Sequence, residues 1–256
     1  MNEFVVSKIK KTNHLNKILV DLNTLLDFYL EKPKKKIGLP IIKKNIHSKM
    51  ISLSKIDRNL FGNFFDAAQC LPSLHSLNET LAHDIKKIYG YSIIQIADYP
   101  RLRLDLPEKN SVHNDPWHQE IMAYDAPRNS ITIWLPLVEM KSELGRLMIK
   151  GNTSGLGILK HKIFPKRPYI RVRPGSWLKL PTHKPHVKFG EFISFKHSVP
   201  HKSSKNNSKS KVRISIQIRY NFLDNSIYSP ENYRPTTPKV RISQDLNLDK
   251  LRKFKF

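Results

Sequence analysis

Apolar residues follow two different rhythms along the chain, and the change comes at Gly90. Between 13 and 30, Leu15, Ile18, Leu19, Leu22, Leu25, Leu26 and Tyr29 recur three and four positions apart, the period of a helix with one buried face. Asn13 is placed to cap its start. Residues 31–45 are charged and broken by proline and glycine, which predicts a loop. Helical spacing returns over 53–69, with Leu60, Phe61, Phe64, Phe65 and Ala68 on one side. It returns again over 73–89, where Leu74, Leu77, Leu81, Ile85 and Ile88 form the stripe and Gly90 supplies the stop.

Beyond Gly90 the runs shorten. YSIIQIADY, RLRLDLP, SITIWLPL, RLMIK, YIRVR, SWLKLP, EFISFK and VRISIQIRY are β-rich, and several alternate apolar with polar at every step, as half-buried strands do. Short strands between Pro, Gly, Asn and Lys loops predict a sandwich or jelly roll. Helices first and strands after place the helices on one face of that β unit. We expect a single domain: a mostly helical part over 1–90, a β core over 91–223, and a polar, proline-bearing extension over 224–256.

Charge changes the picture in one respect. The net charge is +24, and between Leu144 and Leu223 stand 18 Lys and Arg against one acid, Glu191. That field would draw an anionic partner, whether a small metabolite, an acidic carrier or nucleic acid, while a lysine-rich solvated surface gives the same number without any partner. The stretch 196–213 holds no aromatic residue, which argues against a single-strand nucleic-acid platform with its stacking side chains. One cysteine, Cys70, excludes an intrachain disulfide framework and a multi-cysteine metal site. With no apolar run of about 20 residues and no targeting segment in view, no membrane span and a cytoplasmic setting are expected.

Eleven histidines have to be sorted by spacing. His118 and Glu120 are two apart just before the SITIWLPL strand, so in extended chain they share a face. His201, past EFISFK, is a candidate third ligand. Two imidazoles and one carboxylate on one face of an octahedral ion leave three positions open, the arrangement of dioxygen-activating iron sites. His113 and Asp115 form a competing H-x-D pair five residues earlier, and His197 competes with His201. Arg101 and Arg103 share one strand face, which points either to solvent, the simpler case, or into a barrel mouth.

From Pro116 to Tyr220 the chain resembles the phytanoyl-CoA dioxygenase family of Fe(II)/2-oxoglutarate-dependent oxygenases. The likeness rests on Trp117-His118-Gln119-Glu120, the strand from Ile131 to Leu137, the turn Glu143-Leu144-Gly145-Arg146-Leu147, and Gly190-Glu191 to Phe195. His201, Asn206, Ser208, Arg213, Ser215 and Arg219-Tyr220 follow in the family's order. The resemblance implies a double-stranded β-helix, the jelly-roll or cupin-like barrel. It implies Fe(2+) on His118, Glu120 and His201, and 2-oxoglutarate with its distal carboxylate on Arg213 and with Ser215, Gln119 and Trp134 lining its pocket. It also implies O2 as oxidant and hydroxylation of a small substrate, for which anionic and carrier-linked metabolites are candidates, with succinate and carbon dioxide as co-products. A cupin-like metalloenzyme without a keto acid, and a basic nucleic-acid-binding β protein, are the competing functions. The family usually has Asp where Glu120 stands, one residue fewer between His201 and Arg213, and Gly where Lys202 stands.

Overall fold

The computed structural model describes residues 3–31, 38–90, 94–96, 99–107, 116–120, 130–164, 167–222 and 241–242. Four helices come first: α1 (Asn13–Tyr29), α2 (Leu39–Ile56), α3 (Arg58–Gln69) and α4 (Pro72–Tyr89). Their apolar stripes meet in one core that is continuous with the sheet. Two expectations change here. Part of the predicted loop over 31–45 is helix, because Pro40 falls in the first turn of α2, where no N–H is needed. The predicted 53–69 helix is two helices, split at Asp57, whose carboxylate accepts the Asn59 and Leu60 N–H groups and caps α3. Asn13 is the first residue of α1 and makes no cap; Gly90 ends α4 in the left-handed conformation, as expected.

The β part is a jelly roll. Strands β1 (Phe4–Lys8), β2 (Ile94–Ile96), β3 (Arg101–Asp105), β4 (Ser130–Pro136), β9 (Glu191–Lys196), β11 (Arg213–Phe222) and β12 (Arg241–Ile242) make the larger sheet. Its order is β1-β9-β4-β11-β2-β12, with β3 also on β11. Strands β5 (Leu147–Lys150), β8 (Thr182–His183) and β10 (His201–Ser203) make the smaller sheet, and β6 (His161–Phe164) pairs with β7 (Arg167–Val172). Every pairing is antiparallel. SWLKLP, expected as a strand, turns instead as a 3-10 helix over Ser176–Lys179, where Trp177 is buried and donates to the Arg173 carbonyl.

Strand β11 organises the molecule. All ten of its residues are buried, although polar and apolar alternate along it. Ile214, Ile216, Ile218 and Tyr220 face the helices, and the Tyr220 hydroxyl donates to the Asn78 carbonyl of α4 at 2.7 Å. Arg213, Ser215, Gln217, Arg219 and Asn221 take the other face. Cross-strand register puts Asp105, Arg103 and Arg101 beside Arg213, Ser215 and Gln217 on one edge, and Trp134 and Thr132 beside Gln217 and Arg219 on the other. Arg101 and Arg103 therefore share the face of Ser215 and Gln217; Arg101 at its rim is exposed, as the solvent-face reading expected, and Arg103 is half-buried.

Candidate metal centre

Residues 116–120 lie against the smaller sheet. His118 and His201 exchange both backbone hydrogen bonds, each at 3.0 Å, which brings two chain segments 83 positions apart into register. Their rings stand 4.2 Å apart between centroids, and Phe195 packs on His201 from β9 at 4.6 Å. Each imidazole has Nδ1 against a backbone carbonyl, His118 at Pro116 (2.7 Å) and His201 at Val199 (3.0 Å). That contact leaves Nε2 of both rings as the outward ligand atom, the orientation metal-bound histidines take from their outer partners. Both Nε2 atoms point at one carboxylate oxygen: Glu120 Oε1 is 3.8 Å from His118 and 3.5 Å from His201.

One ligand atom from each of the three residues falls within 4.8 Å of the others. Among the described residues no other group of histidine, cysteine and carboxylate side chains does this. Burial pushes the His201 ring's pKa below its ordinary value, with His118 adding to the effect and Glu120 opposing it, so the imidazole stays neutral and free to coordinate. Burial alone would push Glu120 up. The Arg219 guanidinium, with the two imidazoles, outweighs that and holds the carboxylate well below the usual range, ionised. The donor set, two neutral nitrogens and an anionic oxygen, fits a borderline divalent ion such as iron(II). His113 and Asp115 lie outside the described residues. His197 is fully buried beside the cluster, its pKa lowered to about 3 chiefly by burial.

The remaining expected residues divide. Ser215 and Trp134 line the inner face next to the cluster, and both are buried. Ser215 Oγ and Thr132 Oγ1 have no hydrogen-bond partner among the described residues, which marks a polar surface built to meet something else. Arg213 is buried on the same face, but its Nε donates to Asp105 at 2.8 Å and its Nη1 to the carbonyls of Ser204, Gly145 and Leu144. Arg103 Nη2 lies 3.7 Å from the other Asp105 oxygen, so two guanidinium groups meet one carboxylate on the face that carries Ser215. Gln119 has its amide engaged by loop backbone: it donates to Gly157 and Ser198 and accepts from Leu159.

Arg219 was not singled out from the sequence as a site residue. It donates to both oxygens of Glu120, Nε to Oε2 at 3.1 Å and Nη2 to Oε1 at 3.0 Å. The signal was available: Arg213, Ser215, Gln217 and Arg219 stand at every second position of one strand, and a face that rich in hydrogen-bonding groups needs a polar counterpart.

No protein-family model matches the sequence, and no curated protein matches it. Solved structures do match. The epimerase SnoN in complex with Fe3+, alpha ketoglutarate and nogalamycin RO superposes with a TM-score of 0.51 at 16% identity, over 94% of each chain. EctD from S. alaskensis with bound Fe gives 0.50 at 15% identity, over 86% of this chain and 73% of that one. The non-heme monooxygenase ThoJ gives 0.50 at 12% identity, over 86% and 74%. The chain thus has the jelly-roll fold of these non-haem enzymes.

Proposed function

We propose that the protein is an Fe(II)/2-oxoglutarate-dependent dioxygenase of the phytanoyl-CoA dioxygenase type that hydroxylates an unactivated C–H bond of a small molecule. The observation that carries this is the convergence of His118, Glu120 and His201 from two distant segments onto one point. When bound, iron(II) and 2-oxoglutarate supply dioxygen activation and C–H oxidation, with succinate and carbon dioxide as co-products.

The protein's own contribution is position and enclosure. His118 and His201 offer Nε2 because their Nδ1 atoms are held by backbone carbonyls. Glu120 stays ionised in a buried site because Arg219 holds it. Phe195 packs on the His201 ring and keeps water from that side of the reacting centre. Ser215 offers a hydroxyl, and Arg213 beside it a guanidinium held in place by Asp105, to the distal carboxylate of the keto acid. Gln119 acts through the loop it ties down.

Exposed Arg101, on the same face as Ser215 and Gln217 at the edge of the sheet, favours an anionic substrate group. The basic stretch 144–223 speaks less for nucleic acid than its count suggests, because Lys150, Arg213 and Arg219 are buried and bonded inside the protein. Among the described residues no helix is long and apolar enough to cross a membrane.

The test is succinate release from 2-oxoglutarate by the iron(II)-loaded protein, followed by a metabolite screen in which the product is weighed. A hydroxylated product gains one oxygen atom; an epimer, the outcome that SnoN's name describes, gains none. Absence of any 2-oxoglutarate turnover in the loaded protein would leave the competing metalloenzyme, working without a keto acid, as the better account.

A further inference from the structure

The carboxylate of the triad belongs to a glutamate, and Arg219 grips it at both oxygens. Arg219 sits on the inner face of β11, opposite Thr132 of β4, and its Nη2 also donates to Gln217 Oε1 at 3.2 Å. The side chains of Arg219 and Glu120 are 4% and 3% exposed, so neither charge is screened by solvent. Glu120 Oε1 is at once the atom that Nη2 holds and the atom that faces both imidazoles. A carboxylate oxygen has lone pairs enough to accept an N–H and to bind a cation together. Oε2, held by Nε at 3.1 Å, is the oxygen kept back.

Side-chain length then matters. An aspartate at 120 would draw the carboxylate back toward the backbone by about one C–C bond, ~1.5 Å. From there a carboxylate can meet the arginine fork or turn to the imidazole pair, and it cannot serve both at hydrogen-bonding and ligand distances. Resting on the metal-site reading above, we infer that Arg219 is a positioning residue matched to glutamate: it holds Glu120 so that one oxygen faces the ion, and it is the reason a glutamate works at this position. Gln217 steadies the arginine from its own strand.

Co(II) binding to the full chain, followed by calorimetry and by the visible spectrum of the bound ion, tests this without turnover. Glu120→Asp should lower Co(II) affinity by about tenfold or more, the range seen when outer-shell order around a metal is lost. In an Arg219→Met background, where the shorter carboxylate is no longer pulled two ways, the same Glu120→Asp change should cost less than about a third of that factor. Arg219→Met alone should alter the Co(II) spectrum, and Arg219→Lys, which keeps the charge and loses the fork, should alter it too. Thermal unfolding of each variant shows that it is folded, and Arg219→Lys serves if Arg219→Met is not. An equal effect of Glu120→Asp in both backgrounds, or a Co(II) spectrum indifferent to position 219, overturns the inference while leaving the metal site standing. Retention of Co(II) by His201→Ala would overturn both.

Discussion

Arg213 and Asp105 stand 108 positions apart and meet side chain to side chain, Nε to Oδ2 at 2.8 Å, with both groups buried. Arginine at this place is therefore part of the frame as well as of the proposed co-substrate seat. Arg213→Ala should leave the buried Asp105 carboxylate with only the more distant Arg103 and lower stability, by up to about 3–5 kcal/mol. Asp105→Asn together with Arg213→Ala should recover part of that loss. Denaturant titration of the parent and both variants checks it, and an Arg213→Ala variant as stable as the parent would show the pair to be dispensable.

His201→Ala should abolish binding of a divalent ion, and His118→Ala should do the same. His113→Ala should bind as the parent does. Titration with Co(II), read by its visible spectrum, separates the cases. Loss of binding in His113→Ala with retention in His118→Ala would move the site to the upstream pair.

Gly145 has φ +76°, and a Cβ there would run into the backbone carbonyls of Ser204 and Lys205. Ser204 O is also the nearest acceptor of Arg213 Nη1, at 2.7 Å. Gly145→Ala should cost about 1–3 kcal/mol from the left-handed backbone and overpacking together, and it should weaken 2-oxoglutarate binding to the Co(II) protein more than it weakens Co(II) binding. A variant with unchanged melting temperature would contradict the contact.

His47 on α2 accepts the Val212 N–H through Nδ1 at 3.2 Å, and burial, with Lys211 nearby, holds its pKa below 6.5. Burial does the same to His197, down to about 3. The unfolded chain, with ordinary imidazoles, binds more protons than the fold at pH values under 6.5. The stabilisation is thus complete above that value, and it is lost progressively as pH falls toward the folded values. Each ring contributes a slope of at most about 1.4 kcal/mol per pH unit. Denaturation midpoints of the metal-free protein, taken from about pH 4 to about pH 8, should rise with pH. His47→Gln, which keeps an acceptor that does not titrate, should flatten the rise. An unchanged slope in that variant would remove His47 from the account.

Much of the molecule was readable from residue order. The switch in rhythm at Gly90 is the boundary between helices and the main run of strands, and most of the predicted β runs carry a strand. His118, Glu120 and His201 could be picked from spacing and resemblance, and they do come together. What could not be read was fixed by contacts from afar. The strand β1 lies in the expected helical part because β9 offers it an edge, and five residues of local sequence do not reveal that edge. Trp177 turns its segment out of a strand to pack against Trp117, ring centroids 5.8 Å apart. Alternation over Arg101 and Arg103 shows that two faces differ without showing that one face runs from exposed Arg101 to half-buried Arg103 beside Asp105. Arg213 also meets a carboxylate of the chain itself, Asp105 at 2.8 Å, a partner 108 positions away that residue order does not reveal.

One peptide bond separates Arg219, which grips Glu120 of the proposed metal centre, from Tyr220, which is fastened to α4 at Asn78. Scaffold and reactive centre are therefore successive links of the same strand, with no slack between them. Heat or denaturant that loosens the helical shell will tug on the carboxylate at once and release the ion with it. A version pared down to the strands alone would lose the Asn78 anchor of Tyr220, and with it the fixed placement of Arg219 and Glu120.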